Sequence, residues 1–154
     1  MNMEENARTP RKPAVLFVCA KNGGKSQMAA GLMKFEAGSN VAVSSAGTKP
    51  GSAINGLAAE VLLDLGVDIS AERPKALTEE HMREAGLVVV LGAEAKVPAL
   101  EGVRVETWET DEPSARGIEG RERMELVRDD IHACVQELAA RLLGSTGREE
   151  NRGA

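Results

Sequence analysis

Residues 15–28 constrain this chain more than any other segment. Val15-Leu16-Phe17-Val18 is an apolar β-type run that ends at Cys19, crosses Ala20-Lys21-Asn22-Gly23-Gly24-Lys25 and opens at Ser26-Gln27-Met28 into a helix. A strand that turns through a glycine-rich loop into a helix N-terminus makes an anion-binding nest. Successive backbone N–H groups curl round one point, and the helix end adds its partial positive charge. Cys19 stands at the start of the nest, which places its sulfur beside the bound anion. The same donors, with Lys25 and the Ser26 hydroxyl nearby, favour a thiolate. A thiolate facing an oxyanion implies nucleophilic attack on phosphorus or arsenic. The candidate anion-binding residues are Ala20, Lys21, Asn22, Gly23, Gly24 and Lys25, with the two glycines supplying positive φ or close backbone approach. The bland alternatives are a buried core cysteine and a plain flexible turn.

The remainder alternates strands with helices. Strands are predicted near 14–18, 41–45, 87–91 and 103–106. Helices are predicted at 26–35, after a Ser52 cap with Ile54, Leu57, Ala58, Val61, Leu62 and Leu65 on one face, and from Thr78 to Glu84. A last helix begins near 118–121, carries Met124, Val127, Ile131, Cys134, Val135, Leu138 and Leu142 on one stripe, and ends at Gly144. This pattern predicts an α/β fold: a parallel sheet between helices, with the ligand site beyond the C-terminal strand ends, where Cys19 lies. A single domain is expected over 13–144, with disordered polar tails at 1–12 and 145–154.

The net charge of -5 argues against a nucleic-acid or membrane-binding surface. No apolar run has the length to span a bilayer, and the polar N-terminus is no secretory signal. Two cysteines far apart in sequence then suit reduced thiols in a cytoplasm. His81 and His132 show no metal-ligand spacing, so no metal and no bound cofactor are expected. Cys19 to Ser26 also comes within one residue of the nucleotide-binding G-x-x-x-x-G-K-S loop. Cysteine occupies its first glycine, however, and Leu87–Leu91 runs into Gly92-Ala93-Glu94 instead of a magnesium-binding aspartate.

The Cys19–Met28 segment resembles the active-site loop of the low-molecular-weight protein tyrosine phosphatase superfamily, whose pattern is Cys, five residues, Arg, Ser. More closely it resembles the arsenate reductases of that fold, which continue Ser-Gln-Met-Ala as Ser26–Ala29 do. The likeness extends through Ser44-Ser45-Ala46-Gly47-Thr48, Gly66-Val67-Asp68-Ile69-Ser70 and Trp108-Glu109-Thr110-Asp111-Glu112-Pro113. It implies a three-layer fold, a four-stranded parallel sheet with helices on both faces. The family arginine is replaced by Lys25, a point charge in place of a planar fork, which disfavours phosphoryl transfer.

The resemblance assigns the catalytic roles. Cys19 is the nucleophile, Ser26 donates to its thiolate, Asn22 locks the loop, and Lys25 neutralises the anion. The family's acid directly precedes its proline. Glu112 holds that position and Asp111 is one residue earlier, so the acid is one of these two. In thioredoxin-coupled reductases two relay cysteines follow the third strand, but Gly92–Pro98 contains none. Cys134, between Ile131 and Val135, reads as core. Arsenic must then pass to an external thiol. The closest resemblance is to single-cysteine, lysine-containing actinobacterial reductases, which implies mycothiol as co-substrate and a mycoredoxin as reductant. A phosphatase working through a phosphocysteine, or a non-catalytic anion-binding module, are the other readings.

Overall fold

Side chains alternate across a strand, so a strand that is apolar at every position needs cover on both faces. β1 (Ala14–Cys19) and β3 (Leu87–Leu91) are such strands. Val15, Phe17, Val89 and Leu91 enter one core, while Leu16, Val18, Val88 and Val90 enter another on the opposite face. The computed structural model describes residues 12–153, with side chains through Gly144. Residues 1–11 of the predicted N-terminal tail therefore lie outside the described residues.

β2 (Ala42–Gly47) and β4 (Arg104–Trp108) complete a four-stranded sheet of order β2-β1-β3-β4, parallel throughout. The larger core lies under α1 (Lys25–Ala37), α2 (Gly56–Leu63) and α4 (Gly120–Gly153), filled by Met28, Leu32, Met33, Leu62, Ile131 and Leu138. The smaller core lies under α3 (Glu79–Ala85), with Met82 and Ala95 as its plugs. This is the expected three-layer arrangement. β1 sits in mid-sheet, and the chain moves to opposite sides of it to form β2 and β3, so Cys19 ends at a topological switch point. Among the described residues no helix is long and apolar enough to cross a membrane.

Thr78 caps α3 as predicted, its Oγ1 accepting from His81 N at 3.0 Å. Three other expectations change. The cap of α2 is Asn55, whose Oδ1 accepts from Ala58 N at 3.0 Å, and not Ser52. Asn55 N donates to Gly23 O at 2.7 Å, which holds the preceding residues against the Cys19 loop and delays the helix. α4 does not stop at Gly144 but runs to Gly153. Glycines such as Gly144 and Gly147 cost only about 1 kcal/mol each in a helix, and no proline follows to end it. Cys134 is half-buried and outside both core clusters. It lies about 60° round the helix from Ile131, at the margin of the apolar stripe. Trp108 packs against Phe17, ring centroids 5.7 Å apart, which is a core role.

Candidate active site

β1 carries Cys19 to the sheet edge, and the chain then turns sharply through residues 20–24. The one positive φ in this turn belongs to Asn22, at 54°, and not to a glycine. Asparagine tolerates that region because its short side chain bonds locally. Asn22 is fully buried, and every polar atom of its side chain is used. Its Nδ2 donates to Ser26 Oγ at 2.7 Å, and its Oδ1 accepts from Lys75 N at 2.9 Å and from Gln27 Nε2 at 3.2 Å. Gln27 Nε2 also reaches the carbonyls of Asn22 and Arg73, both at 3.2 Å. The loop is thus strapped to residues 73–75, fifty residues away in sequence.

The glycines work by close approach. A Cβ on Gly23 would lie 2.8 Å from Ala53 O, and one on Gly47, the register partner of Cys19, would lie 2.7 Å from Ala20 O. The segment 48–55 ties down the loop carbonyls from behind. Thr48 N donates to Cys19 O at 3.2 Å, Lys49 N to Ala20 O at 2.8 Å, and Gly51 N to Lys21 O at 3.0 Å.

Around the sulfur the donors converge. Ser26 Oγ lies 2.9 Å from Cys19 Sγ, and Asn22 N donates to the sulfur at 3.3 Å. Because Asn22 Nδ2 already uses Ser26 Oγ as acceptor, the serine proton is free to point at sulfur. α1 begins at Gly24 with no side-chain cap, so its first-turn amides are left for a ligand. Cys19 opens into a cleft of about 400 Å³ whose walls include Ala20, Lys21, Gly24, Lys25, Glu112 and Arg123. Of the six predicted anion-binding residues, Asn22 and Gly23 therefore stand behind the cleft, and the other four line it.

Lys25 Nζ donates to Glu112 Oε1 at 2.6 Å across this cleft. Asp111 faces elsewhere. Both its oxygens accept from Arg116, at 2.8 and 3.2 Å, and this guanidinium holds its carboxyl below the usual aspartate range. Its amide donates to Asp130 Oδ2 at 2.7 Å, fixing the turn before Pro113. Cys134 is a free thiol pushed upward by burial and by Asp130 and Glu137, so it is poorly suited to thiolate chemistry. His132 bonds Glu36 Oε2 at 2.9 Å and joins α4 to α1.

Sequence reasoning passed over Gly47, Gln27, Lys75 and Arg123. Gln27 carried a signal, since it follows Ser26 directly in the motif. The others become visible only when distant segments meet.

The fold has known counterparts. Residues 14–147 match the family model described as low molecular weight phosphotyrosine protein phosphatase. The chain belongs to that family.

Within the low molecular weight phosphatase family, similar proteins include arsenate reductases. Arsenate reductase 1 of Staphylococcus epidermidis is 30% identical over 135 residues, spanning 86% of this chain and 99% of that protein. The structure of a thioredoxin-dependent arsenate reductase from Corynebacterium glutamicum superposes with a TM-score of 0.76 at 33% identity, covering 92% of this chain and 67% of that one. The tyrosine phosphatase AmsI of Erwinia amylovora has a TM-score of 0.70 at 22% identity, over 88% of this chain and 96% of its own, a likeness of fold alone. The recognition of an arsenate reductase of this superfamily in the sequence agrees with these relatives.

Proposed function

We propose that this chain is an arsenate reductase that transfers arsenic to an external low-molecular-weight thiol, mycothiol by resemblance. The observation that carries the reading is the Asn22–Ser26–Cys19 chain of contacts at the floor of a cleft lined by Lys25 and Glu112. Arsenate binds the uncapped α1 N-terminus and the loop amides, with Lys25 as counter-ion. The Cys19 thiolate attacks arsenic, and one As–O bond breaks. Glu112, its carboxyl group freed from Lys25 by the arriving anion and holding a proton, gives that proton to the departing oxygen, which leaves as water, while Asp111 serves as the structural anchor for Arg116. An incoming thiolate next displaces Cys19 from arsenic. A redoxin thiol then attacks the sulfur of that adduct. The S–As bond breaks with its electron pair left on arsenic, giving arsenite and a mixed disulfide.

What surrounds Cys19 supports an external thiol. The segment after β3, Gly92–Pro98, has no cysteine, and Cys134 is half-buried on α4 among carboxylates. An internal disulfide relay lacks its parts. Such chemistry belongs in a reducing cytoplasm.

Arsenite formation from arsenate tests the reading, measured with mycothiol, mycoredoxin and its reductase, with a thioredoxin system, and with an aryl phosphate in place of arsenate. Turnover only with mycothiol and mycoredoxin is expected. Turnover with thioredoxin alone would overturn the external-thiol scheme, and aryl phosphate hydrolysis without arsenite would establish a phosphatase.

A further inference from the structure

Arg123 is the group in the Cys19 cleft that the scheme above leaves without a task. It stands in the first turn of α4 and lines the cleft with Lys25 and Glu112. Its Nε is buried and has no hydrogen-bond partner. Among the described residues the carboxylates lining the cleft are Glu94 and Glu112; Glu112 is paired with Lys25, and neither accepts from Arg123 Nε. A buried guanidinium N–H without an acceptor is costly, and such orphans persist where a ligand supplies the missing oxygen.

The ligand's side of the cleft has a matching deficit. The loop offers a lysine where the family pattern has an arginine, and that lysine already shares its charge with Glu112. A tetrahedral oxyanion over Cys19 therefore meets lysine point charges from the loop, Lys25 already shared with Glu112, and no planar fork. We infer that Arg123 supplies that fork from α4, binding oxygen atoms of the arsenate held over Cys19. The inference rests on the arsenate reading and adds to it a substrate-binding residue from outside the loop. Two N–H groups set in a plane suit a tetrahedral oxyanion's adjacent oxygens better than any lysine does.

The test is protection of Cys19 from iodoacetamide by inorganic arsenate alone, with no thiol or redoxin present. The wild type is compared with R123M, which keeps the aliphatic stem, and with R123K and R123Q. The arsenate concentration giving half-protection should rise roughly 10–100-fold in R123M, with R123K between. The thermal midpoint of R123M should not fall, because the substitution removes a buried donor that has no partner. A structural role for Arg123 would lower that midpoint and leave protection intact in the folded R123K and R123Q. Half-protection within twofold of wild type in folded R123M or R123Q overturns the inference and spares the arsenate reading. Failure of arsenate to protect the wild type removes both.

Discussion

Lys25 Nζ lies 2.6 Å from Glu112 Oε1, so the loop cation and the cleft acid are paired before any substrate arrives. An arriving oxyanion must share Lys25 with Glu112 or displace it. E112Q should therefore bind phosphate more tightly than the wild type, read by protection of Cys19 from alkylation. It should also lose about 10²–10⁴ in arsenite turnover, as expected on removing a general acid. D111N should retain turnover within a few-fold. A large loss in D111N with E112Q nearly unaffected would move the acid assignment to Asp111.

Restoring the planar fork in the loop should favour phosphoryl transfer. K25R is expected to raise aryl phosphate hydrolysis by an order of magnitude, roughly one charge-assisted hydrogen bond's worth. Parallel kcat/KM values for arsenate and an aryl phosphate check this. No gain in hydrolysis would mean that something other than Lys25 holds phosphoryl transfer down.

The two cysteines should behave oppositely. C19S should abolish arsenite formation, while C134A keeps most of it. Iodoacetamide followed by peptide mass mapping at neutral pH should label Cys19 first and Cys134 slowly, since burial and the Asp130 and Glu137 charges oppose the Cys134 thiolate. Loss of activity in a folded C134A would contradict the absence of an internal relay.

Asn22 is the residue on which the loop geometry turns. N22A leaves Lys75 N without its acceptor, while Gln27 Nε2 keeps its two carbonyls, and forces alanine into a φ of 54°. The unpaired donor at about 1–3 kcal/mol, and alanine in the left-handed region at about 1–2 kcal/mol, should together destabilise the fold by roughly 2–5 kcal/mol. Urea unfolding measures that loss. N22G relieves the backbone while leaving Lys75 N unpaired, so it should fall between the wild type and N22A.

Acid stability should depend on the clamp between β4 and α4. Glu106 accepts from both terminal nitrogens of Arg141 at 2.9 and 3.0 Å, and this pairing holds its carboxyl below the usual glutamate range. With the folded value below the unfolded one, the contribution is fully present above about pH 4.3 and is lost as pH falls through the folded value. E106Q should cost about 0.5–1 kcal/mol at neutral pH, a partly exposed pair. The gap between the two proteins should close on acidification. A gap that persists at low pH would point to packing instead of charge.

The sheet was legible because its signals are local. β1 and β3 are apolar at every position, and that alone requires cover on both faces. Thr78 sits where a cap must sit. The nest was legible for the same reason: Cys19, the loop and the helix start are contiguous. Legibility ended where distant segments meet. Nothing local tells that Gly47 must lack a Cβ for Ala20 O to pass, or that Lys75 would donate its amide to Asn22. Cys134 shows the limit of periodicity, since the same spacing describes the centre and the margin of a helical stripe. Asp111 and Glu112 are adjacent in sequence, and only their partners, Arg116 and Lys25, tell them apart.

The carbonyls of Cys19, Ala20, Lys21 and Gly23 are all occupied from behind by amides of residues 48–55. The negative ends of those peptide dipoles are therefore turned away from the incoming ligand. Preference for an anion is written into the main chain itself and does not depend on the charged side chains round the rim. Removing Lys25 and Arg123 together would weaken the grip on an oxyanion without making the site hospitable to a cation. Reversing the sign of the site would require rebuilding the 48–55 segment, which carries no chemistry of its own.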